Sequence, residues 1–490
     1  MIKIIGLGPG SPEALTIGAA KLLEKGENIY FRTKHHPIIS FLKDKIKNYK
    51  TFDEYYENSD DIDNIHEKIA SDILKVHKKT KDVVYGVPGN PLMAEKTVSI
   101  LIKICKEKKI DYKVIPAVSF IDSLIEILKI DPIEGLMVID ASDINNQVLD
   151  KRVATIIAQV YSKSVAAELK EKLLDSYNKQ TEIYLIKNPG IKEIEVIRKI
   201  AIDELDKQED LDNMTFIYVP KDKDNKKDFN DLVNLVDTLR GENGCPWDME
   251  QTHKSIKNEL IEETYELVEA IEENRIDGMI EELGDVLFHV VFHASIGNEE
   301  GHFNITDVVN GIIAKMVYRH PHVFGEKEIN NTNEVLKNWD ELKKKEKKYD
   351  TLTEEMKAIA KTLPALTKAN KVQKKAAKVG FDWDNIEETA KKVIEELNEV
   401  LDVYKTKNEE KIKKEIGDLL FSCVNLSRKL NVNEEEALNL TINKFINRFS
   451  FIEEIALKNN KKLNDMTLEE MDKLWEIAKE KEKIKNKKGF

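Results

Sequence analysis

The spacing of hydrophobic and polar residues changes near residue 220. Up to that point, short β-branched runs alternate with amphipathic segments, a pattern typical of an α/β fold. A helix is predicted near 14–24, directly after the first run. The runs predict strands at 2–7, 28–31, 82–87, 112–115, 136–139, 155–160, 182–186 and 215–219.

Beyond residue 228 the hydrophobic residues recur with a helical period. Leu260, Leu267 and Ile271, for example, lie on one face of a predicted amphipathic helix. This half is also duplicated. All 4 tryptophans fall into pairs with the same offset, Trp247 with Trp383 and Trp339 with Trp475. We therefore predict a multidomain chain, an α/β domain followed by a duplicated all-α helical bundle.

The changes of pattern also place the expected boundaries. A nearly continuous run of charged residues follows the last predicted strand, and such a run cannot bury apolar surface, so it is interpreted as a linker. The helical units are called the first and the second repeat below. The predicted segments are an α/β domain at 1–220, the linker at 221–228, the first repeat at 229–342, a connector at 343–362, the second repeat at 363–480 and a Lys-rich tail at 481–490.

A five-residue acidic pattern occurs once in each repeat with identical internal spacing. Acidic side chains one turn apart share a helix face, so two facing helices would bring the five carboxylates together. Such crowding is unfavourable unless cations neutralise it, and hard divalent cations prefer oxygen ligands. A solvated helix face is the usual interpretation of a single copy, but the duplication favours a metal site. The predicted ligands are Glu262, Glu263, Glu266, Glu282 and Asp285, and again Glu395, Glu396, Glu399, Glu415 and Asp418, for Mg²⁺ or alternatively Mn²⁺.

Each repeat continues with a Lys and an Arg four residues apart and then a tryptophan. Lys and Arg at this spacing share one helix face and can hold phosphate oxygens, while an aromatic ring can stack on a base. Together with the acids they predict a nucleoside triphosphate site without a glycine-rich phosphate loop. The predicted substrate-binding residues are Lys315, Arg319 and Trp339 in the first repeat, and Lys444, Arg448 and Trp475 in the second.

A glycine-rich turn follows the first predicted strand and is by itself a weak sign of a ligand loop. With its neighbours it resembles the tetrapyrrole methylase family; the matching motifs are GPGSPE at 8–13, RTKHHP at 32–37, VPGNP at 87–91 and PAVSF at 116–120. The resemblance implies two α/β lobes with S-adenosylmethionine in the cleft between them. The residues it assigns to the cofactor are Pro9, Gly89, Asn90, Pro91 and Ser119.

The helical half resembles the MazG family of nucleoside triphosphate pyrophosphohydrolases. The motifs that carry the resemblance are GCPWD at 244–248, ELIEETYE at 259–266, ELGD at 282–285, RHPHVF at 319–324, LPAL at 363–366 and VGFDW at 379–383. It implies hydrolysis of a nucleoside triphosphate to the monophosphate and pyrophosphate, with Glu263 and Glu396 among the catalytic carboxylates. It also implies a homodimer or larger assembly, and we hypothesise that the second repeat carries most of the activity.

Two histidine pairs receive no role. His35 and His36 precede a proline and are interpreted as a surface turn. His289 and His293 follow the acids of the first repeat, but Ser422 and Leu426 stand at their positions in the second, so we expect them to be core or surface histidines rather than ligands.

Composition and charge exclude some classes of function. The net charge of −13 argues against a nucleic-acid scaffold, and no run of about 20 apolar residues predicts a membrane span. The chain begins directly in predicted structure without a signal peptide, so a cytoplasmic protein is expected.

Two other functions stay open at this point. The chain could act mainly as a methyltransferase, with the helical half as a dimerising scaffold, or the helical half could bind nucleotides as a regulatory module without turnover. Retention of full acid and Lys/Arg sets in both repeats favours the hydrolase over a scaffold.

Overall fold

The computed structural model describes the backbone of residues 1–43, 45–46, 48–57, 62–328, 331–347 and 349–488, and the side chains of the same residues except 62–63 and 483–488. The chain divides into two compact units, Met1–Ile305 and Thr306–Phe490. Their boundary falls inside the first repeat. Within the predicted Lys-rich tail, 489–490 and the side chains of 483–488 lie outside the described residues.

The first sheet is wholly parallel. Its strand order is β3-β2-β4-β1-β5, which places β4 at the centre and β1 between β4 and the edge strand β5. The strands are β1 (Ile2–Gly6), β2 (Ile29–Phe31), β3 (Tyr49–Thr51), β4 (Val83–Val87) and β5 (Tyr112–Ile115).

The second sheet is mixed. Its order is β6-β7-β10-β8-β9, in which β6 and β7 are parallel and the other neighbours antiparallel. The strands are β6 (Leu136–Asp140), β7 (Ala154–Ala158), β8 (Glu182–Lys187), β9 (Val196–Ala201) and β10 (Thr215–Val219). The two sheets match the expected pair of α/β lobes.

Helices connect most of the strands, as the parallel pairings require. Those of the α/β domain are α1 (Ile17–Lys25), α2 (Pro37–Leu42), α3 (Asp53–Glu57), α4 (Ile62–Thr80), α5 (Lys96–Glu107), α6 (Phe120–Leu128) and α7 (Lys163–Ser176). Short 3₁₀ turns lie at Pro12–Ala14, Pro132–Glu134, Ala141–Asn146 and Ile202–Lys207.

After β10 the described chain continues as helices and turns, as predicted. The helices are α8 (Phe229–Arg240), α9 (Pro246–Glu250), α10 (Lys257–Glu272), α11 (Ile276–Glu299), α12 (Ile305–Arg319), α13 (Pro321–Phe324), α14 (Thr332–Lys347), α15 (Leu352–Lys357), α16 (Ala365–Ala377), α17 (Ile386–Val403), α18 (Glu409–Lys429), α19 (Glu434–Lys458) and α20 (Leu468–Lys488). Two 3₁₀ turns lie at Tyr404–Thr406 and Leu463–Asp465. Among the described residues, none of these helices combines the length and apolar character needed to cross a bilayer.

The central strands of the first sheet explain why its hydrophobic runs are nearly continuous. Successive side chains of a strand point to opposite faces. Ile4 and Tyr85 pack with α4 and α5 on one face, while Ile5 and Val84 pack with α1 and α2 on the other. Both faces are covered by helices, so both sets of side chains are buried.

Buried polar contacts fasten the predicted linker to the α/β domain. The ammonium of Lys151, almost fully buried, forms an ion pair with Asp231 of α8 and also donates to the carbonyl of Lys226. Asn225, 7% exposed, accepts from the amide of Asn178 and donates to Thr181 Oγ1. The linker buries little apolar surface, as expected, but these hydrogen bonds give it a defined path.

Candidate metal and nucleotide sites

Three of the predicted acids of the first repeat lie together between α10 and α11. Carboxylate oxygens of Glu263, Glu266 and Glu282 are all within 4.8 Å of one another. Burial, together with the charges of Asp285 and the neighbouring glutamates, raises the pKa of Glu263. Burial and the surrounding carboxylates also raise the pKa of Glu282. Glu262 is exposed on α10, and its charge contributes to the raised pKa of Glu263.

The second repeat forms the equivalent cluster between α17 and α18. Glu396, Glu415 and Asp418 offer oxygens within 4.8 Å of one another, and Glu396 is only 7% exposed. The charge of Glu396, burial and a hydrogen bond with Glu415 raise the pKa of Glu399.

A lysine that the sequence analysis missed lies beside this second cluster. Lys392 Nζ is 2.8 Å from Glu395 Oε1 and 2.7 Å from Glu396 Oε1. Hydrogen bonds to these two carboxylates raise the pKa of Lys392. The same position of the first repeat holds Glu259, so the repeated pattern gave no signal for it.

The donor sets of both clusters fit a divalent cation. They consist of hard carboxylate oxygens from facing helices, the ligand type that Mg²⁺ prefers. In the first cluster, none of the three carboxylates forms an ion pair with a described Lys or Arg. Their mutual repulsion raises pKa values, and a bound cation would remove it.

The predicted Arg and Trp of each repeat do lie together, with a glutamate that the sequence analysis missed. The guanidinium carbon of Arg448 lies 5.4 Å from the ring centre of Trp475, and Arg448 Nη2 donates to Glu482 Oε2 at 2.6 Å. Arg319 repeats the arrangement with Trp339 at 5.3 Å and Glu346 at 2.7 Å. Glu346 and Glu482 share the offset of the tryptophans, a signal that could have revealed them.

The two lysines of the predicted clamps differ in exposure. Lys444 is exposed on α19, while Lys315 is half-buried on α12. Within the described part of the second repeat, no hydrogen bond or ion pair joins Lys444 or Arg448 to the second acid cluster. The structure therefore places Arg448 beside Trp475 but not in contact with the second acid cluster.

A pocket of about 370 Å³ opens beside the second acid cluster. Its acidic wall contains Glu396 and Asp418, and Phe381, Trp383 and Phe421 supply aromatic walls. The polar residues that line it are Gln373, Asp382, Thr389, Lys392, Ser422, Asn425 and Arg428.

An ion pair closes one side of this pocket. Arg428 Nη2 lies 2.5 Å from Asp382 Oδ1, and Lys429 Nζ lies 2.9 Å from Asp382 Oδ2. Burial opposes ionisation of Asp382, but the hydrogen bonds from Arg428 and Lys429 outweigh it and lower the pKa of the carboxyl group. Asp382 belongs to the VGFDW motif. The first repeat has Ser295 at the position of Arg428, so the repeated pattern did not indicate this arginine.

The two histidines of α11 follow the acids of the first repeat along the helix. His289 is 9% exposed, and burial lowers its pKa despite the charges of Glu259 and Asp285. His293 stacks on His253 with ring centres 5.1 Å apart. Both are core or partly buried side chains of α11.

The α/β domain contains a cleft of about 600 Å³. Three predicted cofactor residues, Pro9, Gly89 and Asn90, line it. Gly89 has φ +63, a conformation that favours glycine, and its loop meets the Gly8 loop through backbone hydrogen bonds. Asn90 Nδ2 donates to the carbonyl of Ala117.

The other two predicted cofactor residues are placed differently. Ser119, 3% exposed, is the N-cap of α6, and its hydroxyl exchanges hydrogen bonds with Asp122. Pro91 and Ser119 are not among the residues that line the cleft. A partly buried ion pair between Arg32 and Glu95, which the sequence did not indicate, does line it.

The expected surface turn at 35–36 is wrong for His36. The ring is 8% exposed, and His36 Nε2 lies 3.1 Å from the carbonyl oxygen of Gly8. Burial lowers the pKa of His36 to about 4. The cause is the loop of Gly8, which covers the start of α2 and which the local sequence does not indicate.

The sheets and the acid clusters together define a two-part protein, an α/β domain followed by a duplicated acid-bearing helical module. The tetrapyrrole (corrin/porphyrin) methylase model matches residues 1–206, and the MazG nucleotide pyrophosphohydrolase domain model matches 251–324 and 384–450. The chain belongs to the MazG family, in the form that carries an N-terminal tetrapyrrole methylase domain.

Two relatives, one similar over the whole chain and one over about half of it, support this assignment. The uncharacterized protein YabN of Bacillus subtilis is 45% identical over 486 residues, 98% of this chain and 99% of its own length. The nucleoside triphosphate pyrophosphohydrolase/pyrophosphatase MazG of Thermotoga maritima is 44% identical over 254 residues, 51% of this chain and 95% of its own. A uroporphyrin-III C-methyltransferase structure from Thermus thermophilus aligns with a TM-score of 0.36 and 18% identity over 47% of this chain and 98% of its own.

Proposed function

We propose that this chain is a Mg²⁺-dependent enzyme that hydrolyses nucleoside triphosphates to monophosphates and pyrophosphate. The observation that carries the proposal lies in the second repeat, where three carboxylates within 4.8 Å of one another adjoin a pocket lined by aromatic rings. The activity for which the Thermotoga maritima relative is named supports the same reaction. Removal of unwanted nucleotides is the cellular role that we propose.

The acidic residues of the repeated pattern in the second repeat are the proposed metal ligands. Those at the corresponding positions of the first repeat are proposed to bind metal in the same way. When bound, Mg²⁺ supplies positive charge at the phosphates and lowers the pKa of a coordinated water. Glu396, the most buried acid of its cluster, is our candidate for the base, and Glu263 is its counterpart. As the water oxygen bonds to the α-phosphorus, its proton passes to the carboxylate, the bond to the bridging oxygen breaks and pyrophosphate leaves.

Lys444 and Arg448 are proposed to hold the phosphates, with Trp475 near the nucleotide. The exposed ammonium of Lys444 is available, and the guanidinium of Arg448 is oriented by Glu482 and Trp475. Lys315, Arg319 and Trp339 would do the same in the first repeat. Positive charge here would stabilise the negative charge that develops on the leaving pyrophosphate.

Dimerisation is proposed from the apolar surface of the second repeat. Leu397, Leu401, Leu420 and Phe445 are all more than 40% exposed on α17, α18 and α19. Monomers seldom leave large apolar patches in water, and a second copy of the chain would cover them. We therefore propose a homodimer or larger homo-oligomer.

The cleft of the α/β domain is proposed to bind S-adenosylmethionine. Its volume, about 600 Å³, and its lining by Pro9, Gly89 and Asn90 support this. A methyltransferase with the helical half as a dimerising or regulatory nucleotide-binding module is the second candidate function. Calorimetry with S-adenosylhomocysteine tests the cleft directly, and absence of heat would remove both proposals for this domain.

Product analysis of the full-length protein tests the main proposal. Ordinary and damaged nucleoside triphosphates would be incubated with Mg²⁺ or with EDTA, and the products separated by ion-exchange chromatography. We expect monophosphate and pyrophosphate with Mg²⁺ only. A diphosphate and inorganic phosphate as products, or turnover unaffected by Glu396→Gln, would contradict the proposal.

A further inference from the structure

The pocket of the second repeat contains one buried polar atom without a partner. Gln373 is 7% exposed, and its Nε2 donates to the carbonyl oxygen of Phe421 at 2.8 Å. A carbonyl oxygen only accepts hydrogen bonds, so this contact fixes the orientation of the amide group. Gln373 Oε1 is then a buried acceptor without a hydrogen-bond partner among the described residues, and it belongs to a side chain that lines the pocket.

A second amide on the pocket wall is fixed in the same way. Asn425, 4% exposed, accepts hydrogen bonds from Arg428 Nε at 3.0 Å and from Nη2 at 2.6 Å through its Oδ1. Because guanidinium groups only donate, Oδ1 must face Arg428. Asn425 Nδ2 therefore presents a donor, complementary to the acceptor of Gln373.

Two polar residues that line this pocket have apolar counterparts in the first repeat. In the register of the acids, Thr389 and Asn425 correspond to Ile256 and Phe292. Ile256 and Phe292 are 3% and 2% exposed and pack with Val236 in one hydrophobic cluster. The acid clusters are thus duplicated, whereas the polar side chains of Thr389 and Asn425 are specific to the second repeat.

An unpaired buried acceptor costs free energy that a ligand donor would recover. The pocket is lined both by acids of the second cluster and by aromatic rings, so a nucleotide with its phosphates at the acids would place its base among these rings. The donors that a base carries on its edge are ring N–H and exocyclic amino groups.

We propose that Gln373 and Asn425 read the base edge of the nucleotide in the second repeat, with Gln373 Oε1 accepting a hydrogen bond from an N–H group of the base. The substrate class is then a nucleoside triphosphate whose base carries an exocyclic amino group, and the first repeat does not discriminate bases. The inference rests on the proposed hydrolase function and adds its specificity.

The test compares substrates that differ only in the exocyclic amino group. ATP is paired with purine riboside triphosphate, and CTP with 2-pyrimidinone riboside triphosphate, with the full-length protein and Mg²⁺. For the better substrate pair we expect kcat/KM to fall at least about tenfold when the amino group is absent, since a site built for a hydrogen bond rejects the analogue that lacks it. Equal kcat/KM values within both pairs would overturn the proposal.

Variants of the two amides complete the design. Gln373→Met keeps the length of the side chain and removes the acceptor, so we expect the ratio within the better pair to return to about one, through loss of activity on the aminated substrate. Asn425→Phe copies the first repeat and should raise KM for every nucleotide. Asn439→Phe makes the same change on an exposed position of α19 and serves as the control. An unchanged ratio in Gln373→Met would overturn the proposal even if Asn425→Phe failed to fold.

Binding measurements distinguish failure of the hydrolase proposal from failure of the base-recognition proposal. Calorimetry with AMP and purine riboside monophosphate reports base recognition without turnover. Absent hydrolysis with at least about tenfold tighter binding of AMP would refute the reaction and retain the base reading. Hydrolysis with equal binding and equal kcat/KM for both bases would retain the reaction and refute the base reading.

Discussion

Lys392 Nζ lies 2.7 Å from Glu396 Oε1, so the second acid cluster contains its own cation. The first repeat has Glu259 at that position. The side chains of Lys392 and Glu396 are 32% and 9% exposed, so solvent only partly screens their attraction. The two acid clusters therefore differ in local charge although their acidic patterns are the same.

Replacing Lys392 should make the second repeat depend on metal for its stability. In EDTA, we expect Lys392→Gln to lower the free energy of unfolding by about 0.5 to 1 kcal/mol, because Glu395 and Glu396 lose their counter-charge. With saturating Mg²⁺ the difference should disappear, since the metal supplies the charge. Thermal unfolding with and without Mg²⁺ measures both values.

Lys391→Gln is the matched control, because Lys391 is the exposed neighbour on the same helix. It should leave stability unchanged in both conditions. A loss in Lys392→Gln that is equally large with Mg²⁺ would mean that Lys392 does not substitute for a cation.

The two repeats should contribute unequally to turnover. We expect Glu396→Gln to reduce kcat by at least about 100-fold, the scale of losing a charge-stabilising group at a reacting centre. Glu263→Gln should change it by less than about threefold, because the apolar Ile256 and Phe292 replace two polar pocket residues in the first repeat. Steady-state rates of the two variants decide, and equal losses would contradict a dominant second repeat.

Arg448 and Arg319 offer a second comparison between the repeats. Each guanidinium packs over a tryptophan and donates to a glutamate, so their local structural roles are alike. If Arg448 also holds phosphates, Arg448→Gln should raise KM by about tenfold or more, the loss of one charge-assisted hydrogen bond. Arg319→Gln should lower stability to a similar extent with little effect on KM, and matching KM values for the two variants would exclude a phosphate contact by Arg448.

The buried ring of His36 should make the α/β domain sensitive to acid. Its folded pKa of about 4 lies below the ordinary 6.5, so the stabilisation is complete above pH 6.5 and is lost as the pH falls toward 4. His36→Gln can keep a hydrogen bond to Gly8 without titrating. Urea unfolding should show the wild type losing on the order of 3 kcal/mol across this range relative to the variant.

Circular dichroism is the suitable signal for that titration, because all 4 tryptophans lie beyond the α/β domain. Parallel slopes of stability against pH in wild type and His36→Gln would show that His36 stays hydrated in solution.

The strands that the sequence did not predict share a physical cause. The eight predicted strands are all confirmed within about two residues at each end, a usual margin for such boundaries. Tyr49–Thr51 and Val196–Ala201 were missed, and both are edge strands. An edge strand is paired on one side and carries charged residues such as Lys50 and Arg198, so its hydrophobic pattern is weak.

The acids could be predicted from the sequence because they are repeated. Neighbouring residues that differ between the two repeats could not. Glu263, Glu266 and Glu282 meet as predicted, as do Glu396, Glu415 and Asp418. The first repeat has Glu259 and Phe292 at the positions of Lys392 and Asn425. Comparison of the two repeats therefore could not identify these residues. Their significance depends on which helices face each other, and that depends on tertiary packing.

The contact between Lys151 and Asp231 constrains how the gene for this chain could be divided. A fragment that ended at residue 220 would retain Lys151 in the interior and lose its carboxylate partner, and an isolated buried ammonium is strongly destabilising. The part that could be transplanted intact therefore extends into α8, past the point where the β pattern stops. Recombination at the domain border would therefore destabilise the α/β product unless the crossover lay beyond Asp231.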